Sequence, residues 1–530
     1  MAVSAPAPAP APPEETAVAA AVPVHRKPIA RVRRGALLRV ILPHLPHDLL
    51  KSASHILYLS PQGQYWDLKT TATVEFLRSY INHRASHKSV TVEKAQADTV
   101  RRTKVANNTW VSEVAFSPAP DFNGEAAVKS AIVSLGGTSL TIPPVGIAPL
   151  SGEWVAGRST RIVGEPPHLS TEENYTGLTA DTPNKDAVIL YLHGGAYFLC
   201  DPHSHRAAIV KLAAASQCRA FALRYRLAPQ SPFPAALIDS LAAYLYLLHP
   251  PPGALHKPVP ASKIVFAGDS AGGGLSFSLL QLLLEFSRSS TTILWHGTEL
   301  TPPLPAGIAG CSPWIDVTRC FGGLSDFTTG SEETCGPTDY LPTSVVNARA
   351  EYPESPGWNA EVRKKMEMSQ MYAADALLSH PLVSPILAES WKGKDGVSVP
   401  VWISVGDECL RDQSLWATHY LRKQGVRVRF EKYAGMPHVF QGILFHLKVA
   451  DHAWASGGKF IKLVTGDVAA EEGYWTATET HPKTLVGREM TEEELHVGGF
   501  EMNEVREMAQ KAVVAVQKVV TGRDAVRAKI

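Results

Sequence analysis

Between residues 187 and 311 short, nearly unbroken apolar runs alternate with longer stretches of helical spacing. Ala187-Val-Ile-Leu-Tyr-Leu192, Arg219–Tyr225, Ile264–Ala267 and Ala306–Cys311 are runs of the first kind. A central parallel strand reads this way because neither face of its pleat meets water. Ala235–Leu248 and Leu275–Leu284 predict buried helices, the first halted by Pro250, Pro251 and Pro252. Strands at Pro400–Val405 and Val426–Tyr433, with helices over Asp412–Gln424 and Lys448–Val464, continue the series. This rhythm predicts an α/β fold with a mainly parallel sheet flanked by helices, spanning roughly 180–465.

The flanks depart from it. Residues 1–34 begin Ala/Pro-rich and end in a basic run, and they predict a disordered tail. Residues 35–180 are helical from His47 to about Ala85, where Val74, Leu77 and Ile81 share a stripe, and a strand is expected at Asn108–Phe116. Residues 320–380 interrupt the core with Gly322, Gly323, Gly330 and Pro337, followed by a helical stretch near Ala360–Leu378. Insertions of this kind form lids and substrate-facing walls. Residues 466–530 read as a C-terminal extension. It carries a capping box at Thr491-x-x-Glu494 and an amphipathic helix striped by Val505, Met508, Ala512, Val516 and Val519.

Composition narrows the choices. A chain of 530 residues, 45% apolar and 19% charged, is an ordinary globular protein with room for additions to one large core. The net charge of +1 gives no electrostatic footprint for nucleic acid. The six cysteines are scattered without a C-x-x-C pair, which argues against a zinc site and fits a reducing compartment. Cys409 reads as a small buried thiol. No secretory signal is legible and no stretch suits a spanning helix, so the expected location is cytoplasmic. The alternative is peripheral attachment to an intracellular membrane through residues 26–60, where Lys and Arg adjoin apolar residues.

The chemistry centres on Gly268-Asp269-Ser270-Ala271-Gly272, which stands between an apolar strand and a buried helix. The G-x-S-x-G form in that context is a nucleophile elbow, and no Lys follows it as a phosphate cradle requires. A serine hydroxyl needs a base and a group to orient the base. His438 follows the last expected strand, where a loop can overhang the elbow. Asp407, Glu408 and Asp412 follow the strand before it, and spacing does not choose among them. The order serine, acid, histidine is that of α/β-hydrolases. Gly194, Gly195 and Ala196, after a central strand, and Ala271, after the serine, offer backbone N–H donors for an oxyanion hole. His203 and His205 form no metal site, because no third ligand stands at a sensible spacing.

His193-Gly-Gly-Ala-Tyr197 with Asp201 and His205, and Gly268-Asp-Ser-Ala-Gly-Gly273, closely resemble the two signatures of the hormone-sensitive lipase family (GDXG lipolytic enzymes) of the α/β-hydrolase fold. Tyr225-Arg-Leu-Ala-Pro229, Phe233–Asp239 and Ser312-Pro-Trp-Ile-Asp316 are further landmarks. The resemblance runs from about Ala187 to Phe440. It implies Ser270 as nucleophile, His438 as base, His193 and His205 as structural braces, and Asp269 as a holder of the turn. It places the loop donors at Gly195 and Ala196. Relatives show D-P-L-x-D where this chain has Glu408-Cys-Leu-Arg-Asp412, which implies Glu408 as the acid with Asp407 as the alternative. It also implies a helical cap, for which residues 35–150 and 320–380 are the candidates.

The expected protein is a serine esterase or lipase that hydrolyses small apolar carboxylic esters through an acyl-enzyme, needing neither cofactor nor metal. The alternatives are a deacetylase, lactonase or amidase of a sterol or secondary metabolite, and a non-catalytic small-molecule-binding relative of the same fold.

Overall fold

The computed structural model describes residues 60–86, 90–136, 142, 144–164, 167–322, 338–341, 354–469, 471 and 473–527. The tail expected over residues 1–34 and nearly all of the stretch considered for membrane contact lie outside them. No helix among the described residues is long and apolar enough to cross a membrane.

Twelve strands are present among the described residues. β1 (Thr109–Phe116), β2 (Leu150–Gly157), β3 (Val188–Leu192), β4 (Arg219–Arg224) and β5 (Ile264–Asp269) are followed by a small separate hairpin, β6 (Ile293–Trp295) and β7 (Thr298–Leu300). β8 (Gly307–Cys311), β9 (Val401–Gly406), β10 (Val428–Tyr433), β11 (Ala477–Thr480) and β12 (Gly487–Glu489) complete the series. Ten of them form one sheet in the order β1-β2-β4-β3-β5-β8-β9-β10-β11-β12. The block from β4 to β11 is parallel, and β1, β2 and β12 run antiparallel to their neighbours.

The apolar runs become central strands because alternate residues fill two different cores. Val188, Leu190 and Leu192 of β3 face one core with Phe221, Leu223, Ile264 and Phe266, whereas Ile189 and Tyr191 face the other with Ala220, Ala222, Val265 and Ala267. Among the helices that cover these faces are α3 (Pro202–Ser216), α4 (Ala235–Leu248), α5 (Ala271–Ser289), α6 (Arg411–Lys423) and α7 (Lys448–Val464). Two helices near the start of the described residues precede them, α1 (Leu68–Ser86) and α2 (Val92–Thr99). α3 and α7 lie on the second face; α4, α5 and α6 lie on the first.

The sheet is wider than the expected span of 180–465. Residues 35–180 do not serve only as cap material, since β1 and β2 extend the sheet on one side. β2 escapes a reading by apolar pattern because Gly152 and Glu153 interrupt it. Both have packing reasons: a Cβ on Gly152 would meet the Phe221 ring at 2.5 Å, and the buried Glu153 carboxylate accepts both Nε and Nη2 of Arg206 at 2.7 and 2.9 Å. On the other side the C-terminal extension adds β11 and β12. Its capping box closes a separate four-residue helix, Glu492–Leu495, and the longer α8 (Met502–Arg527) follows. Val505, Ala509 and Ala512 of α8 enter the main core, so this helix packs on the sheet domain.

The helix expected near Ala360–Leu378 is confined to Ala360–Met366. Glu367 turns left-handed at φ 51°, and Ser369 N–H and Oγ then donate to the Asp375 carboxylate, both at 2.7 Å. A side chain thus takes the backbone N–H that a further helical turn would have used. Two satellite clusters sit above the C-terminal edge of the parallel strands. Val74 of α1 packs with Tyr340, Tyr433, Met436 and Phe440, and Val92 and Ala95 of α2 pack with Phe198, Trp358, Met368 and Met371.

Candidate active site

All parallel strands deliver their C-terminal ends to one edge, where crevices of α/β sheets bind ligands. β5 ends there in the elbow. Ser270 holds φ 52° and ψ −123°, a conformation that side chains rarely adopt, and α5 begins at the next residue. Its backbone is pinned from both sides: Ser270 N–H donates to Cys311 O at 2.9 Å, and Trp314 N–H donates to Ser270 O at 2.8 Å. The flanking glycines are sterically compelled. A Cβ on Gly268 would lie 2.5 Å from Leu192 O, and one on Gly272 only 2.0 Å from that same oxygen.

β9 and β10 supply the other two groups. Glu408 follows β9 and His438 follows β10, and both side chains are buried. His438 Nδ1–H donates to Glu408 Oε2, and Ser312 Oγ donates to Oε1 of the same carboxylate. The Ser312 hydroxyl also accepts Val439 N–H at 3.1 Å. Ser312 directly follows Cys311, whose carbonyl pins the elbow. One residue therefore ties the Glu408 loop, the His438 loop and the Ser270 turn to a common point. Burial opposes a charge on His438, but Glu408, Asp339 and Asp269 outweigh it and raise its pKa above the ordinary imidazole value. Among the described residues no hydrogen bond joins Ser270 Oγ to His438. Such a contact often tightens only when substrate binds.

The other carboxylates have different partners. Asp407 accepts Gly435 N–H at 2.7 Å and lies 3.2 Å from Lys432 Nζ and 3.5 Å from Arg411 Nη1. Asp412 sits in the first turn of α6 and pairs with Arg411 at 2.7 Å. Cys409, expected as a free thiol, is disulfide-bonded instead, whereas Cys200, Cys218, Cys311 and Cys320 are free.

The loop after β3 places three consecutive residues at positive φ: Gly195 at 113°, Ala196 at 53° and Tyr197 at 66°. Among the described residues no acceptor takes the N–H of Gly195, Ala196 or Ala271. Gly194 differs from its expected place among the oxyanion donors, because its N–H is already spent on Asp269 Oδ1 at 3.2 Å. Asp269 also accepts Tyr191 Oη–H on Oδ1 at 2.7 Å and the His205 ring on Oδ2 at 3.2 Å. Burial works against this carboxylate's charge, yet His205 and these donors hold its pKa down at about 2. Asp269 thus fastens the elbow to the loop beside it.

His193 is a neutral brace. Its Nδ1–H donates to Gly194 O at 2.7 Å, its ring stacks on Tyr225 at 4.2 Å, and its Nε2 is buried without a partner. Burial, with the nearby His205 charge, pulls its pKa down to about 4. Glu113, Glu153 and His203 are the one group among the described residues whose ligand atoms gather within 4.8 Å. Arg206 and Arg224 pair with Glu153, and Arg102 with Glu113, so this cluster is a charge-balanced ion network with no need of a cation.

Two residues here escaped sequence reasoning. Ser312 stood in a landmark motif without a role, and only its position directly after a strand beside the elbow could have pointed to it. Asp339, whose carboxylate accepts His438 N–H at 3.2 Å, lies in the insertion and carries no motif.

Residues 189–442 match a family described as an alpha/beta hydrolase fold. A protein of Streptomyces hygroscopicus named acetyl-hydrolase is 33% identical over 280 residues, which are 53% of this chain and 76% of that relative. Lipase 2 of Moraxella sp. (strain TA144) is 27% identical over 267 residues, 49% of this chain, and the match spans only 55% of that relative. A solved structure described as an esterase from the bacterial hormone-sensitive lipase family shares 25% identity, covering 74% of this chain and 98% of its own with a TM-score of 0.43.

Proposed function

This chain belongs to the hormone-sensitive lipase family of α/β-hydrolases and is a carboxylic-ester hydrolase, and we propose that Ser270, His438 and Glu408 form its catalytic triad. The observation that carries the assignment is the hydrogen bond from His438 Nδ1–H to Glu408, made beside an elbow serine whose backbone is held at φ 52°. That bond leaves Nε2 as the imidazole's free basic nitrogen, which a general base requires.

In this reading Ser270 Oγ attacks the ester carbonyl carbon while His438 Nε2 takes its proton. Glu408 holds the ring in the correct tautomer and stabilises the imidazolium. The N–H groups of Gly195, Ala196 and Ala271 receive the oxyanion of the tetrahedral intermediate, where loss of one such donor typically costs about 10²–10³ in turnover. The proton passes to the departing alcohol, and water repeats the sequence on the acyl-enzyme. The substrate is a small apolar ester, consistent with Phe198, Trp358 and Met371 clustering beside the donor loop. The name of the Streptomyces relative supports a short acyl group such as acetyl.

Labelling the full chain with a serine-directed fluorophosphonate tests this, with Ser270→Ala as control and a panel of p-nitrophenyl esters of graded acyl length. Stoichiometric labelling at Ser270 and fastest turnover of the shortest esters are expected. An unlabelled wild-type protein would move the assignment to a non-catalytic binding role.

A further inference from the structure

The insertion between β8 and β9 reaches the catalytic loops at Thr338–Leu341. Asp339, at its centre, is 2% exposed. Its Oδ1 accepts the N–H of His438 at 3.2 Å, together with those of Tyr340 at 2.8 Å and Leu341 at 3.4 Å. Its Oδ2 accepts the N–H of Cys409, the residue after Glu408, at 2.9 Å. The two oxygens of one carboxylate thus grip the base loop and the acid loop separately. The backbone carbonyl of Asp339 accepts Nε and Nη2 of Arg78 on α1, at 3.0 and 2.6 Å, and Arg78 is ion-paired to Glu75 at 2.8 Å.

A neutral acceptor could hold one of these loops. A carboxylate here stands beside Glu408, and two like charges in a buried site oppose each other. The arrangement gains from the charge when a cation forms between the two acids, as happens when the base takes the serine's proton. We propose that Asp339 is a positioning residue for ester hydrolysis, a second carboxylate that sets the spacing of Glu408 and His438 and stabilises the protonated His438 during the reaction. This rests on the reading of Ser270, His438 and Glu408 as the triad. It goes beyond that reading by giving the insertion a part in the chemistry, with α1 holding it in place through Arg78.

The ionisable groups that face His438 are Glu408 from the β9 loop, Asp339 from the insertion and Asp269 from the elbow, with the Tyr340 ring at 6.1 Å. Arg319 lies near Asp316 and Asp339 and tempers the second of these charges. Removing the Asp339 charge therefore favours neutral His438. Because the base must be unprotonated to act, the acid limb of the kcat/KM profile moves to lower pH.

The test compares wild type, Asp339→Asn and Arg78→Met as full chains, by fluorophosphonate active-site titration and by kcat and KM for p-nitrophenyl acetate across pH. For Asp339→Asn we expect unchanged labelling stoichiometry, KM within twofold, kcat lower by about tenfold, and an acid limb shifted down by roughly half to one pH unit. A kcat within twofold of wild type on a superimposable pH profile would overturn the proposal. Should Asp339→Asn fail to fold, Arg78→Met decides, since it leaves the carboxylate in place and frees its backbone. A kcat lower by roughly threefold to tenfold at constant KM supports the proposal, and an unchanged kcat sinks it. Wild type that is neither labelled nor active would instead overturn the triad reading, and this inference with it.

Discussion

Ser312 Oγ donates to Oε1 of Glu408, so the acid that meets His438 with one oxygen is steadied at the other by a hydroxyl from a neighbouring strand end. Ser312→Ala removes that donor and strips Val439 N–H of its acceptor. Hydrogen bonds to buried charged groups contribute about 1.5–3 kcal/mol, so a loss of stability near that size is expected in urea denaturation. Turnover should fall by about tenfold, because the carboxylate gains freedom to swing away from the ring. Ser312→Thr, which keeps the hydroxyl, should recover most of the rate. Failure of threonine to do better than alanine would argue against the hydrogen bond as the cause.

The two neighbouring acids should respond differently to neutralisation. Glu408→Gln leaves a side-chain amide against His438 Nδ1 and favours the wrong tautomer, with an expected loss of about 10³–10⁴ in kcat. Asp407→Asn disturbs only contacts to Gly435, Lys432 and Arg411. Its kcat should stay within about threefold of wild type, with a modest fall in thermal midpoint. Steady-state kinetics on the two purified variants checks this, and equal losses would put Asp407 back in contention as the acid.

Folding stability should carry a pH signature from the Asp269–His205 pair. The Asp269 pKa is pulled down to about 2, so its contribution is present above its unfolded value near 3.8 and is lost as pH falls towards 2. That shift corresponds to about 2 kcal/mol. The pKa of His205 is raised: burial opposes its charge, but Asp269 outweighs it. Its contribution is complete below the ordinary imidazole value and fades as pH climbs through the folded one. The thermal-midpoint gap between wild type and Asp269→Asn should therefore be widest between about pH 4 and 6.5 and should narrow on either side. A gap independent of pH would mean that the variant loses packing rather than charge pairing.

The parts of this molecule legible from its residues are those where one local pattern suffices. β3 and β8 are apolar throughout, β5 is apolar up to its closing Asp269, all three are fully covered, and the elbow glycines are required by the approach of Leu192 O. β2 is hidden by a buried Glu153 whose arginine partner lies 53 positions away. β11 and β12, Ala477–Thr480 and Gly487–Glu489, are too short and too polar to signal strands, and they exist because β10 offers them an edge. Asp339 shows the limit most clearly. Its neighbours His438 and Cys409 are 99 and 70 residues away, and no spacing rule anticipates a contact made through backbone amides.

The narrow ribbon at the C-terminal side has a practical meaning for anyone shortening this protein. β11 lies along β10, and the outermost β12 is three exposed residues carrying Arg488 and Glu489. Short, charged outer strands discourage sheets of separate molecules from adhering. A chain ended at residue 465 would bare the unpaired amides of β10 along a flank rich in Val428, Phe430 and Tyr433. The foreseeable result is stacking between copies and loss of soluble material, while the loop that carries His438 would also lose the Thr480 carbonyl that accepts Ala434 N–H at 3.0 Å.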